Sequence, residues 1–382
     1  MKTRMPAPLT VKLSVLPLVL AALVGGPLID QAAAEAGAST TVTPATSTAT
    51  ASPTVTSTTT PPSTTTPPST TTPSSPTPTA PPTTPPVPPA VKGSASIVLP
   101  DAFVVGHQAV TVPGRVVHVT GVVRPYVAGQ SVDVKAFLGR RLIKSARLHV
   151  QPSGSRAFGR FVISVAARRA GRVSILVTHA ATSAMRAFAA KRSYASLSEN
   201  VGFGSTGPFV QLIQQRLAAL HVYVIRSGVY DQHTGLAVDA YHRLLRRGHS
   251  QSLDGHTFSA LLDGFGQFKV RFPKQGRHAE GNLSDQLLAL IVGSQVQAIY
   301  PISSGKPSTP TVLGSFRVYL RVPSYLPDGM YYSDFFFGGF AIHGFNPAPD
   351  FPASHGCMRL PISDAISAFN WLSMGDGVDV YY

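Results

Sequence analysis

The single cysteine of the chain, Cys357, lies near two histidines, and this group is the clearest place for chemistry. A thiol with an ordinary pKa of about 8.5 is only a few per cent thiolate at neutral pH. A cysteine nucleophile therefore needs an imidazole that takes its proton and holds the resulting ion pair. His343 and His355 are the candidates. Gly356, directly before the thiol, allows a tight turn that brings backbone amides toward a developing oxyanion.

Composition alone does not choose between the two histidines, but the backbone favours one of them. His355 is joined to Cys357 through Gly356, so both side chains leave the same short segment, which restricts proton transfer between them. His343 comes from a separate segment and approaches the thiol freely. We therefore expect His343 to be the general base.

Strand patterns surround this group. Residues 286–292 and 295–300 predict a hairpin, because Gly293 suits the first position of a two-residue type II′ turn. Residues 315–322 alternate without a break and predict one strand. A helix capped by Ser363 or Asp364 is expected near the C-terminal end.

The runs AIHG at 341–344 and SHGCMRL at 354–360 resemble the active-site signature of the L,D-transpeptidase, or YkuD-type, family. The likeness extends to SGKP at 304–307, to residues 309–316 and to residues 330–339. It thus covers nearly all of residues 282–382. The resemblance implies a mostly-β catalytic domain with a short C-terminal helix.

The same resemblance implies a role for each motif residue. Cys357 would be the nucleophile and His343 its base, with the imidazole oriented by the backbone carbonyl of Gly344. The oxyanion side would be shaped by Ser354, His355 and Gly356, and Arg359 would face the substrate. Candidates for a substrate groove are Met330 and Tyr332, although an aromatic run of this kind also suits a core. Neither a cofactor nor a metal is implied.

Enzymes of this family act on the stem peptides of peptidoglycan. The thiolate would attack the carbonyl of the third residue, expel the terminal D-Ala and form a thioester. An amine acceptor then gives a 3→3 cross-link, whereas water gives an L,D-carboxypeptidase, and the sequence leaves both open. A carbapenem is an expected inhibitor, because its strained carbonyl mimics the attacked peptide bond.

Two further hypotheses belong to other classes. The domain could be an inactive wall-binding scaffold, although every catalytic residue type is present. A zinc hydrolase could use His343, His355 and Cys357 as ligands, but the spacing is not typical of Cys/His zinc enzymes and no carboxylate stands behind the ligands.

The N-terminal part predicts export. Residues 1–34 combine early basic residues, an apolar run and small residues, which is typical of a signal peptide, with an uncleaved anchor as the alternative. Residues 35–92 are rich in Thr, Pro and Ser and predict a disordered, extended linker. The expected location is the cell wall or the outer face of the cytoplasmic membrane.

Residues 93–197 predict a basic immunoglobulin-like β-sandwich of seven strands, because short alternating runs are separated by Gly-rich turns. This segment holds 15 Lys and Arg against two Asp, net +13, whereas residues 282–382 hold four bases against seven acids, net −3. For an exported protein, the basic surface indicates anionic wall polymers as partners, and not nucleic acid.

Residues 200–268 change to a helical period and predict three short helices, the third capped by Thr257. They resemble the peptidoglycan-binding-like domain of wall enzymes in Gln214, in the turn GVYD at 228–231, in Thr234 and in Tyr241. The alternative is a packing unit that only orients the next domain. The predicted fold class is therefore multidomain: a sandwich, a small three-helix domain and a YkuD-type domain.

Overall fold

The structure is a computed structural model, and it describes residues 88–382. The predicted signal peptide and the predicted linker as far as residue 87 lie outside these residues. Among the helices of the described part, none is both long enough and apolar enough to cross a membrane.

The first domain consists of two β-sheets packed face to face. Its strands are β1 (Ser94–Val98), β2 (Phe103–Val105), β3 (Gln108–Thr111), β4 (Val116–Arg124), β5 (Ser131–Leu138), β6 (Arg141–His149), β7 (Gln151–Pro152), β8 (Gly159–Ala166), β9 (Gly171–His179) and β10 (Phe188–Ser196). One sheet has the order β1-β4-β8-β7 and the other β2-β3-β10-β9-β5-β6. Strict alternation of buried and exposed residues along β8 shows the half-buried character expected from the period-two pattern. The domain has ten strands and not seven, because short segments pair at the sheet edges.

Three helices follow: α1 (Pro208–Ala219), α2 (Gln232–Leu244) and α3 (Gly255–Asp263). The cap of α3 is Asp254, whose carboxylate accepts from the Thr257 amide at 2.8 Å, so the prediction of Thr257 as the cap was wrong. An aspartate at this position reaches the amides of the first turn and also meets the positive end of the helix dipole.

The residues that resemble a peptidoglycan-binding domain hold the helices together. The side chain of Gln214 is buried, accepts from the Gly228 amide at 2.9 Å and donates to the Thr234 hydroxyl at 2.9 Å. Tyr241 donates its hydroxyl to the carbonyl of Phe265. These contacts explain the motif through folding, and a peptidoglycan-binding role for the helices stays a prediction.

The C-terminal domain contains two further sheets and a helix. Its elements are β11 (Arg277–Asn282), β12 (Leu287–Val292), β13 (Gln295–Pro301), β14 (Gly314–Arg317), β15 (Leu320–Tyr325), β16 (Tyr331–Phe337), β17 (Phe340–Gly344), β18 (Met358–Leu360), α4 (Ile362–Trp371) and β19 (Gly377–Tyr381). The sheet orders are β13-β12-β11-β19-β14 and β15-β16-β17-β18. The predicted hairpin is β12–β13, and Gly293 has φ of 61° in its turn.

Two expectations for this domain were wrong in detail. Helix α4 begins directly after Pro361 without a side-chain cap, so Ser363 and Asp364 lie in its first turn and do not cap it, and the Ser363 hydroxyl donates to the Asp364 carboxylate at 2.9 Å. The single strand predicted over residues 315–322 is broken, because the chain passes from one sheet to the other between β14 and β15. At the break, the amides of Val318 and Tyr319 bond to Asp376 and Phe335, which belong to different parts of the domain. After α4 the chain also returns as β19, between β11 and β14. The predicted multidomain fold class is confirmed.

Strand β12 joins the helices to the C-terminal domain. Leu288 and Leu290 lie in the core of that domain, whereas Leu287, Ala289 and Ile291 pack into the core formed by the three helices. The helical core continues on its other side into the sandwich. The helices are therefore packed between two β-domains, as expected for a unit that orients its neighbours.

The buried carboxylate of Glu280 on β11 holds the segment that connects α3 to this domain. It accepts from the backbone amides of Arg271 at 2.9 Å and Phe272 at 2.7 Å, and from the hydroxyl of Tyr381 at 2.8 Å. Because Glu280 is fully buried, water could not accept these hydrogen bonds if the carboxylate were removed.

We expect Glu280→Ala to lower the free energy of unfolding by about 3 to 5 kcal/mol, since it leaves several buried donors without an acceptor. Urea denaturation of the two proteins measures the difference. Glu199→Ala is the matched control, because Glu199 is exposed and should change stability by less than about 0.5 kcal/mol. Equal effects of both substitutions would contradict the role of Glu280.

Candidate active site

Two neighbouring parallel strands position the predicted catalytic residues. In the pairing of β17 with β18, Ile342 lies opposite Met358 and His343 opposite Arg359. Cys357 directly precedes β18, and its thiol lies 3.6 Å from the carbonyl oxygen of Gly339, just before β17. If this register is continued by one residue, Cys357 falls opposite Ala341, and the alternation of side chains then predicts that the thiol lies on the same face as His343.

The imidazole of His343 has one nitrogen committed to the backbone. Its Nδ1 lies 2.9 Å from the carbonyl oxygen of Gly344, and the ring is 2 % exposed. With Nδ1–H donating to this carbonyl, Nε2 is the nitrogen left to accept a proton. A side chain at Gly344 would place Cβ 2.7 Å from that of Ala365, so only glycine fits beneath α4.

Burial sets the protonation of this pair. It lowers the pKa of His343 to about 4, against a smaller raising effect of the bond to Gly344. Burial also raises the pKa of the Cys357 thiol, although the Ala341 hydrogen bond and the charge of Arg359 act in the opposite direction. Both shifts favour the neutral forms, a thiol and an imidazole, because burial removes part of the water that would solvate the charged forms.

A tight loop presents the thiol. Gly356 has φ of 121°, and a Cβ there would lie 1.7 Å from the ring of Phe340. The Ser354 hydroxyl donates to the carbonyl of Cys357 at 2.6 Å and accepts from the Gly356 amide at 3.0 Å. Since this amide is occupied by Ser354, Gly356 contributes conformational freedom to the loop and not its own N–H.

The segment 303–309, here called the strap, runs beside the loop. Its Ser303 exchanges two backbone hydrogen bonds of 2.9 Å with Arg359, and Lys306 donates its amide to the carbonyl of Ser354 at 3.0 Å. The Lys306 ammonium lies 3.4 Å from Nε2 of the exposed His355. SGKP belongs to the active-site motifs of the sequence, but nothing in the local sequence places Lys306 in the site. A long-range backbone pairing of this kind has no signal in a local pattern.

Arg359 lies at the edge of the loop. Its guanidinium carbon lies 3.9 Å from the ring centroid of Phe345, and Nη1 donates to the carbonyl of Ala353 at 3.3 Å. Its Nε is buried and has no hydrogen-bond partner among the described residues.

The two groove candidates differ. Tyr332 is partly exposed, has φ of 51° and packs its ring edge-to-face on Phe369. Met330 is 7 % exposed and so offers little surface to a substrate. Within residues 88–382, no three His, Cys, Asp or Glu side chains are grouped closely enough to hold a metal ion.

Gly356→Ala should slow alkylation of Cys357 by roughly 100-fold, because the loop must move away from Phe340 and carries the thiol with it. The rate with iodoacetamide, followed by intact mass, measures this. Gly154→Ala is the control, since a Cβ at Gly154 meets no atom within 4 Å and the residue lies in the sandwich domain. An unchanged rate in a folded Gly356→Ala protein would contradict the steric argument.

Comparison with known proteins is consistent with this geometry. Residues 276–380 match the family model YkuD, described as the L,D-transpeptidase catalytic domain. No protein with a curated description matches the chain.

Solved structures of L,D-transpeptidases are also similar to the chain. That of Xylanimonas cellulosilytica is 28% identical, with a TM-score of 0.44, over 48% of this chain and 98% of that one. An L,D-transpeptidase of Mycobacterium smegmatis is 13% identical, with a TM-score of 0.26, over 76% of this chain and 100% of that one. The catalytic domain of the E. faecium enzyme, acylated by ertapenem, is 25% identical, with a TM-score of 0.24, over 28% of this chain and 98% of that one.

The family assignment rests on the family model, whose matched segment contains both paired strands, the glycine-bearing loop and the strap. Residues 276–380 therefore form an L,D-transpeptidase catalytic domain of the YkuD family.

Proposed function

We propose that this protein is a cysteine-dependent L,D-transpeptidase that forms 3→3 cross-links between peptidoglycan stem peptides. The observation that carries the proposal is the buried imidazole of His343, whose Nδ1 is committed to Gly344 and whose Nε2 is left for the thiol of Cys357. The family assignment supplies the substrate class.

In the first half-reaction, the sulfur of Cys357 attacks the carbonyl carbon of the third stem residue while its proton passes to Nε2 of His343. The resulting tetrahedral oxyanion collapses, the bond to the terminal D-Ala breaks, and the imidazolium returns the proton to the leaving amine. A thioester on Cys357 and free D-Ala are the products.

In the second half-reaction, the side-chain amine of another stem attacks the thioester carbonyl. His343 takes a proton from this amine and gives it to the departing sulfur, so the thiol is regenerated. A pair that is neutral at rest suits this cycle, because charge develops only as bonds form and break. Imidazolium and oxyanion then stabilise each other in a medium of low polarity.

Cations near the loop support recognition of an anionic substrate. The Lys306 ammonium lies 3.4 Å from His355, and the Arg359 guanidinium donates to the carbonyl of Ala353, so both cations contact the segment 353–357. We assign them to carboxylates or carbonyls of the stem peptide. Export to the wall and attraction of the basic sandwich to anionic wall polymers are parts of the same proposal and rest on sequence alone.

Incubation of the full chain with a disaccharide-tetrapeptide, followed by mass spectrometry, tests the proposal. We expect a cross-linked dimer together with released D-Ala, and no turnover by Cys357→Ala. A carbapenem should add one adduct to the native protein, none to Cys357→Ala, and abolish turnover. D-Ala release without dimer would indicate the L,D-carboxypeptidase, and no turnover would indicate the wall-binding scaffold. Either result would contradict cross-linking.

Substitution of each histidine should have a different effect on how the alkylation rate of Cys357 depends on pH. Because burial raises the pKa of Cys357, the thiolate fraction is small near pH 7 and increases as pH rises. His343→Ala removes the proton acceptor, so alkylation by iodoacetamide should slow near pH 7 and approach the native rate at high pH.

His355→Ala is the matched comparison. His355 is exposed, so its loss should leave most of the alkylation rate while lowering acyl transfer. The reverse pattern, with alkylation surviving in His343→Ala and collapsing in His355→Ala, would exchange the two assignments.

A further inference from the structure

We propose that Arg243, on α2 of the helical domain, is a positioning residue for the catalytic loop. It acts through Gln286 and the strap on the backbone that carries Ser354 and Cys357. The inference uses the proposed function to name the reaction, whereas the contacts that carry it are independent of that function.

The first step crosses from the helical domain to the catalytic domain. Arg243 is 5 % exposed and forms an ion pair of 2.6 Å with Asp239, one turn earlier on α2. Its Nη1 donates to two carbonyl oxygens of the catalytic domain, that of Gln286 at 2.8 Å and that of Ile302 at 2.9 Å. A charged donor shared by two carbonyls makes a strong, directional link between the ends of β12 and β13.

The second step is a clamp at Gln286. This residue is 5 % exposed and has φ of 51°, a conformation that a non-glycine residue adopts only when its surroundings hold it. Its side-chain amide donates to the carbonyl of Leu283 at 2.6 Å and to the hydroxyl of Ser304 at 2.7 Å. Its side-chain oxygen accepts from the Ser304 amide at 2.9 Å. Ser304 is therefore held by both its backbone and its side chain.

The third step leads from the strap to the loop. The carbonyl of Ser304 accepts from the amides of Ala353 at 2.9 Å and Ser354 at 3.0 Å. Ser354 in turn holds the carbonyl of Cys357 and the amide of Gly356 through its hydroxyl. Each contact joins groups that are largely buried, so water does not readily replace a broken link.

This arrangement predicts which kinetic constant changes. The residues at the end of the path shape the backbone around the thiol, where charge develops during the reaction. A displacement of about 1 Å there can cost roughly 100-fold in rate. Substrate carboxylates instead meet Arg359 and Lys306, whose side chains the path does not use. We therefore expect kcat to fall roughly 10- to 100-fold while KM changes by less than about threefold.

The test compares two substitutions with a matched control in the full chain. Arg243→Met removes the cation and its carbonyl contacts, and Gln286→Met removes the clamp but leaves the ion pair with Asp239 intact. Arg246→Met is the control, because Arg246 follows α2 directly, is exposed and, within the described part of the chain, forms its ion pair with Asp285. Arg243→Lys keeps the charge but replaces the planar guanidinium by a single nitrogen, and it should restore part of the lost rate.

Three readouts are measured on each protein: kcat and KM, the alkylation rate of Cys357, and hydrogen exchange of the amides in residues 352–360. We expect both test variants to lose kcat, alkylate more slowly and exchange faster in this segment, while the control matches the native protein. A role in stability alone would lower the melting temperature but leave kcat per folded molecule and exchange in this segment unchanged, and that result would overturn the proposal.

The outcomes remain distinguishable from failure of the proposed function. If the native protein does not turn over peptidoglycan stems, alkylation and hydrogen exchange still decide whether Arg243 positions the loop. If Arg243→Met does not fold, Gln286→Met decides alone, and its native behaviour in all three readouts would refute the path.

Discussion

The burial of β12 on both faces is the constraint on which the arrangement of the described domains depends. A strand with one apolar face can leave its other face in solvent. A strand with Leu and Ile on both faces needs other elements packed against each face. Leu288 and Leu290 are covered by the second sheet and α4, and Leu287 and Ile291 by the helices. The helices thus cover the second face of β12, and from α2 Arg243 reaches the carbonyls that lie just before β12 and just after β13.

The catalytic pair illustrates how burial, more than charge, prepares a site. His343 lies on β17 and Cys357 in the loop before β18, and burial disfavours the charged form of each. The commitment of one imidazole nitrogen to the Gly344 carbonyl determines which nitrogen is basic. The loop around Gly356 then needs only to hold the sulfur in place, and a left-handed glycine packed on Phe340 achieves this without a Cβ.

Much of this organisation could be predicted from the sequence, because the features concerned depend on residues that are close together in the chain. The hairpin at Gly293, the three helices and the active-site motifs all follow from periodicity, turn chemistry or residue type. The break between β14 and β15 could not be predicted, since perfect alternation says which face a residue takes but not which sheet it joins. Lys306, Arg243 and Gln286 were missed because their roles come from contacts across the fold. The continuous apolar run LLALIV at 287–292 is typical of a strand buried on both faces, and it could have predicted that the helices pack on β12.

The neutral resting state of Cys357 has a consequence for its durability. Oxidants attack the thiolate far more readily than the thiol, and oxidation beyond sulfenic acid is essentially irreversible. With no second cysteine in the chain, a sulfenic acid at this position could not be resolved through an internal disulfide. A thiol whose pKa is raised by burial is therefore less open to oxidation by peroxide than an ordinary cysteine.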